Sequence, residues 1–187
     1  GVTGSAGKTS TKDLIASVVQ RLGSTVAPPG SFNNELGHPY TALRCDKTTD
    51  YLVAELSARG LGHVAHLAQI APPTIGVVLN VGTAHLGEFG SREVIAQAKG
   101  ELVAALPSTG VAVLNADDRL GANMPTSAKV VRFSTTMEAD YYATDIQLGE
   151  LSQASFVLHT PHGQAPVNLQ VFGEHQVANA LAAAAVG

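Results

Sequence analysis

The clearest chemistry stands near the start of the chain, where Gly4-Ser-Ala-Gly-Lys-Thr-Ser10 joins an apolar strand end to an amphipathic run. A glycine, a lysine and a hydroxyl in direct succession, Gly7, Lys8 and Thr9, are what a phosphate-binding loop requires. Backbone N–H groups of Gly4, Ser5, Ala6, Gly7 and their neighbours can curl around a phosphate, and the N-terminus of the following helix adds its dipole. Lys8 then reaches the β- and γ-phosphates, and the Thr9 hydroxyl ligates Mg²⁺. The usual pattern has a glycine five places before Gly7, where this chain has Val2. Gly4 supplies backbone freedom closer to the phosphate.

Three more residues could do chemistry. Glu55 is the lone acid of the apolar stretch Tyr51-Leu-Val-Ala-Glu-Leu56. Burying a carboxylate costs several kcal/mol unless it is paired or bound to a metal. Beside phosphates, Mg²⁺ is the natural compensation, whereas a strand-end acid facing water needs none. His85 closes a Gly-Thr-Ala-His turn and reads equally as a metal ligand, a phosphate contact or an ordinary turn residue. Lys99, within Gln97-Ala-Lys-Gly-Glu101, reads on its own as a helix-surface lysine. Asp117 and Asp118 read as acids of a structural turn, and His38, His63, His66, His159 and His162 as polar surface.

These groups need a scaffold. Residues 11–22 place Leu14, Ile15, Val18, Val19 and Leu22 on one helical face closed by Gly23. A Pro-Pro-Gly connector, a polar loop over 31–39 and a short helix follow. Strands are expected at 51–56, 74–81, 111–114 and 130–133, with helices at 62–70 and 91–106. Ser91 with Glu93 caps the second of these helices. Alternation of this kind builds a parallel sheet with helices on both faces, and ligands bind beyond the carboxyl ends of its strands. The phosphate loop, Glu55, His85 and Asn115–Asp118 all fall at such ends. After Asp140 three close runs, 141–148, 154–160 and 166–171, predict a small antiparallel meander packed on the α/β core, and 174–186 an alanine-rich helix.

The chain has 187 residues, 45% hydrophobic and 14% charged, so one globular domain with a real core is expected. A net charge of −4 gives no electrostatic case for nucleic acid. One cysteine, Cys45, excludes an internal disulfide and fits a reducing, cytoplasmic setting, and no apolar run is long enough to span a bilayer. A phosphate loop with almost no strand before it, and an end inside or just after a helix, read as an excised domain.

Read together, Thr3-Gly-Ser-Ala-Gly-Lys-Thr-Ser-Thr-Lys12, Asn33-Asn-Glu-Leu-Gly-His-Pro39, Glu55, Asn80-Val-Gly-Thr-Ala-His-Leu86, Ala98-Lys-Gly-Glu101 and Asn115-Ala-Asp-Asp118 resemble the Mur ligases in order and spacing. The likeness covers essentially all of residues 1–187, as the central ATP-binding domain alone. Within the family it is greatest to the branch that joins D-Ala-D-Ala to UDP-MurNAc-tripeptide in peptidoglycan precursor synthesis. Sister ligases that add one amino acid and folylpolyglutamate synthases are the alternatives, and a non-ligase P-loop module is the competitor from another class. The resemblance implies an ATP-dependent ligase that makes an acyl phosphate, with two Mg²⁺ ions. It implies that Lys8 neutralises phosphate charge, that Thr9 and Glu55 hold one ion, and that His85 and a carbamylated Lys99 hold the second. Ser10, His175 and Asn179 would contact the nucleotide, and Asn33 and Asn34 the acceptor. A monomer without nucleic-acid or membrane partners is implied as well. Gln176 stands where relatives usually carry asparagine, so the contacts of that turn depart from the family pattern.

Overall fold

Alternation of apolar side chains to both sides of the central strands decides the architecture. The computed structural model describes residues 1–83 and 86–187. Its seven-stranded sheet runs in the order β1 (Val2–Thr3), β4 (Ile75–Val78), β5 (Val111–Asn115), β6 (Lys129–Ser134), β7 (Tyr141–Leu148), β8 (Gln153–Thr160) and β9 (Gly163–Phe172). Val77, Val113 and Phe133 face one side, where α1 (Lys8–Val19) and α6 (His175–Ala184) cover them with Ile15, Val19, Val177 and Leu181. Val78, Ala112 and Leu114 face the other side, under α3 (His63–Ile70) and α5 (Arg92–Ala104) with Leu67, Ile95 and Leu102. The expected three-layer α/β fold is the observed one.

β1 to β7 are mutually parallel along that order, and β7, β8 and β9 pair antiparallel. The meander is therefore an extension of the main sheet and not a unit packed onto it. β6 and β7 pair only through Phe133–Tyr141 and Ser134–Tyr142. Because β7 begins where β6 ends, a short turn suffices in place of a crossover helix.

At the opposite edge β2 (Thr25–Val26), a strand that the sequence pattern did not reveal, pairs in parallel with β3 (Tyr51–Leu52). The chain after β3 then changes partner. Val53 N–H donates to Val26 O at 2.9 Å, while Val2 N–H donates to Ala54 O at 2.8 Å and Leu56 N–H to Val2 O at 2.9 Å. Glu55 thus reaches the carboxyl end of β1, next to the phosphate loop, through a bridge to Val2.

One helix differs from its periodicity. α1 starts at Lys8, three residues earlier than the apolar pattern indicates, because Gly7 is its N-cap. Its inward residues are Thr11, Lys12, Ile15 and Val19, whereas Val18 is 37% and Leu22 64% exposed. α5 begins as read, with Ser91 Oγ accepting from Val94 N–H at 3.3 Å. α2 (Gly37–Ala42) packs near α3, and α4 (Leu86–Phe89) precedes α5. Among the described residues, no helix is long and apolar enough to cross a membrane.

Candidate active site

The phosphate loop is held by its neighbours before any ligand is considered. Gly7 has φ 84°, in the left-handed region, and a Cβ there would lie 2.6 Å from Asn179 Oδ1. A Cβ on Gly4 would lie 2.9 Å from that of Leu79. Only glycine satisfies both positions. Asn80, at the end of β4, ties the loop down. Its carbonyl accepts from Ser5 N–H at 3.1 Å, its Oδ1 accepts from Ala6 N–H at 2.9 Å, and its Nδ2 donates to Ala6 O at 3.1 Å. Ser5 Oγ in turn accepts from Gly82 N–H at 2.9 Å.

This assigns the donors. The N–H groups of Ser5 and Ala6 are spent on Asn80. Thr11 N–H is the first to bond back into α1, to Gly7 O at 2.9 Å. The N–H groups of Gly7, Lys8, Thr9 and Ser10 therefore remain for an anion at the positive end of the helix dipole. The anion cradle lies a few residues further along than the glycine pattern alone places it.

Beside it is a cleft of ≈400 Å³ lined by Lys8, Thr9, Ser31, Asn33, Glu55 and Ser57, among others. Glu55 is only 1% exposed, which excludes a solvent-facing acid. Its Oε2 accepts from Thr9 Oγ1 at 3.0 Å, and its Oε1 accepts from Ser31 Oγ at 3.2 Å and from Asn33 Nδ2 at 2.7 Å. Asn33 Nδ2 also bonds Ser31 Oγ at 2.7 Å. Three neutral donors and a nearby lysine compensate the buried carboxylate. Lys8 Nζ donates to Gly4 O at 2.8 Å. Burial lowers the Lys8 pKa and the negative charge of Glu55 opposes that shift.

Lys99 is the clearest departure from a residue-by-residue reading. It is 6% exposed on the inner face of α5 and not a helix-surface lysine. Burial, reinforced by the positive charge of Lys8, pushes its pKa down from 10.5 to about 8. Two residues along α5, Glu101 serves the scaffold: its carboxylate accepts from Gly62 N–H at 2.6 Å and Ala65 N–H at 3.0 Å, capping α3.

The site residues read from the sequence divide accordingly. Lys8, Thr9, Glu55, Lys99 and Asn33 converge on one end of the sheet. Asn34 does not share that work, because its Oδ1 accepts from Leu36 N–H at 3.2 Å and Gly37 N–H at 2.9 Å at the start of α2. His85 lies outside the described residues. On the far side of the phosphate loop, His175, Ala178, Asn179, Asn115 and Phe133 line a second cavity of ≈160 Å³. Asn179 Nδ2 donates there to Gln176 Oε1 at 2.9 Å. Asp117 and Asp118 are structural, as read. Asp117 accepts from Ser134 Oγ, Thr135 N–H and Thr136 Oγ1, and Asp118 accepts from the N–H groups of Val81 and Leu120. A further cavity of ≈370 Å³ lies at the amino ends of the strands, between Ile15, Val53, Pro73 and Ile75, and its walls are largely apolar.

Three contributors stand outside the site residues read from the sequence: Asn80, Ser31 and Lys12, although Asn80 and Lys12 belong to stretches that carry the family likeness. Asn80 could have been noticed as an amide closing an apolar strand, since its two-sided side chain suits clamping a backbone.

The oxygen donors of Thr9 and Glu55, hydrogen-bonded to each other, would fit a small hard cation. Thr9 Oγ1 and Glu55 Oε2 are 3.0 Å apart. Adjacent oxygens of a Mg²⁺ octahedron are separated by about 2.9 Å when bonds are 2.0–2.1 Å long. Among the described residues no three His, Cys, Asp or Glu side chains cluster for metal binding, so most ligands would be phosphate and water oxygens, as this ion prefers.

Fold and site together define an α/β nucleotide-binding domain of the phosphate-loop class. Residues 2–187 match the family model described as Mur ligase middle domain. The chain belongs to the Mur ligase family. It is 61% identical over 188 residues to the UDP-N-acetylmuramoyl-tripeptide–D-alanyl-D-alanine ligase of Mycobacterium tuberculosis H37Rv, covering 100% of this chain and 37% of that protein. To the ligase of the same name from Escherichia coli K12 it is 40% identical, over 99% of this chain and 42% of that protein. MurF from Acinetobacter baumannii superposes with a TM-score of 0.91 at 40% identity, covering 98% of this chain and 41% of that one. MurF from Thermotoga maritima in complex with ADP superposes at 0.88 and 33% identity, covering 99% and 43%. The chain thus spans about two-fifths of the length of these relatives.

Proposed function

We propose that residues 1–187 are the central ATP-binding domain of a ligase that joins D-Ala-D-Ala to UDP-MurNAc-tripeptide through an acyl phosphate. The observation that carries this reading is the Thr9–Glu55 contact at the mouth of the phosphate loop, with Lys8 beside it. That pair would serve as a cation seat, with a positive charge beside it, where a γ-phosphoryl group leaves ADP. The names of the relatives supply the substrates.

In this mechanism a carboxylate oxygen of the acceptor forms a bond to the γ-phosphorus while the bridge from that phosphorus to the β-phosphate breaks. ADP leaves. The amine of D-Ala-D-Ala then attacks the acyl carbon, the C–O bond to phosphate breaks, and the amine proton goes to solvent or a base. Such phosphoryl transfer is governed by positioning and charge neutralisation. When bound, Mg²⁺ offsets the charge on the β- and γ-oxygens; Thr9 and Glu55 would hold one ion. The N–H groups of Gly7 to Ser10 cradle the phosphates, and Lys8 swings from the Gly4 carbonyl onto them. The nucleoside would lie in the cavity beside His175 and Asn179. Asn33, by fixing Glu55, faces the acceptor end of the cleft.

Lys99 is proposed to act as a carbamate. Carbamylation needs the neutral amine, which attacks CO₂ and loses a proton. An amine held near pKa 8 supplies that form far more readily than one at 10.5. The product is an anion that could share a second ion with His85.

The test is ADP release by the full-length ligase carrying this chain. It should require ATP, Mg²⁺, UDP-MurNAc-tripeptide and D-Ala-D-Ala together. Release supported by a single amino acid and not by the dipeptide would instead make it a sister ligase. Release unaffected by any acceptor would make it a nucleotide hydrolase or switch.

A further inference from the structure

Lys12 is a lysine with no exposed surface, four residues after Lys8 on α1. A buried ammonium is tolerated only when its donors are met. All three are: Nζ lies 2.7 Å from Asp13 Oδ1 and donates to Pro28 O at 2.7 Å and Gly30 O at 3.2 Å. The two carbonyls belong to the Pro28-Pro29-Gly30 connector. Proline has no N–H and cannot close a turn as donor, and Gly30 has a left-handed φ of 68°. The connector therefore has little to hold its own carbonyls inward. Ser31 and Asn33, which follow directly, donate to Glu55 Oε1 at 3.2 and 2.7 Å.

We infer that Lys12 is the positioning residue of the cation seat: it fixes the connector to α1 so that Ser31 and Asn33 aim the Glu55 carboxylate at Thr9. The same helix carries Thr9 one turn earlier, so one rigid element sets both ligands, one directly and one through the connector. Lys12 touches no ligand itself. The inference rests on the reading of Thr9 and Glu55 as cation ligands.

The test uses calorimetric titration of ADP into the 187-residue chain over a series of Mg²⁺ concentrations. Lys12→Met keeps the apolar length of the side chain and removes its donors; Lys12→Gln keeps one donor. The Mg²⁺ concentration at half-effect should rise by about 10-fold or more in Lys12→Met, the range seen when a group supporting a metal ligand is removed. Lys12→Gln should lie between, and ADP affinity without Mg²⁺ should hardly change. Because Lys12 acts through the connector, adding Asn33→Ala to Lys12→Met should shift the half-effect less than the product of the two single shifts. If Lys12→Met melts below the working temperature, Lys12→Gln carries the same comparison. An unchanged Mg²⁺ half-effect in a folded variant, equal losses with and without Mg²⁺, or multiplicative effects would overturn the inference. If the unsubstituted chain bound ADP without any Mg²⁺ response, the cation seat itself would be wrong and the role of Lys12 with it.

Discussion

Glu55 shows what burial does to a single acid. Fixed by Thr9, Ser31 and Asn33, it is held in place without freedom to relax, which suits a cation ligand. Glu55→Gln keeps the shape and removes the charge. In the full-length ligase it should lower Mg²⁺-dependent ADP formation by more than the about 10- to 100-fold that follows loss of a supporting group. Steady-state rates over a Mg²⁺ series check this, and near-normal rates would remove Glu55 from the seat. Lys99 gives a prediction in pH. Between about 8 and 10.5 the unfolded chain holds a proton that the folded chain has released. Stability therefore rises with pH across that window, because the penalty of burying the ammonium is complete below about 8 and gone near 10.5. In CO₂-free buffer the melting advantage of Lys99→Met over the natural chain should shrink over that range, and a constant gap would contradict it.

At the scale of elements, the strand-to-helix switches place the chemistry, and most of them are legible in the sequence. Gly-Lys-Thr after a strand announces the start of α1, and Ser91 announces that of α5. Gly7→Ala should destabilise the fold by about 1–3 kcal/mol through its left-handed backbone, besides crowding Asn179. Thermal melting with ADP titration checks both effects. Other features were hidden for physical reasons. β2 has only two residues, too short for any period to register. Glu55 stands out as the one acid of an apolar stretch, whereas Lys99 lies between Gln97 and Glu101, so only tertiary packing decides that it is buried. The inward turn of Lys12 is equally invisible, because its partners are carbonyls, which every residue carries. The likeness to the Mur ligases marked Lys99 where helical periodicity did not.

For the whole molecule, the sheet puts the loop, Glu55 and Lys99 at one end and leaves the opposite end apolar. The domain can thus hold a nucleotide, and under the proposed function the acceptor carboxylate and the amine would have to be presented to it. The 187-residue chain alone should therefore turn over ATP slowly and form no amide product; ligation by it would show that these residues suffice. The central claim is that the γ-phosphoryl group passes to the acceptor carboxylate. The direct measurement labels that carboxylate of UDP-MurNAc-tripeptide with ¹⁸O and follows the label by mass spectrometry of the released phosphate. Transfer of one labelled oxygen to each phosphate is the predicted result; phosphate free of label would contradict the acyl-phosphate account.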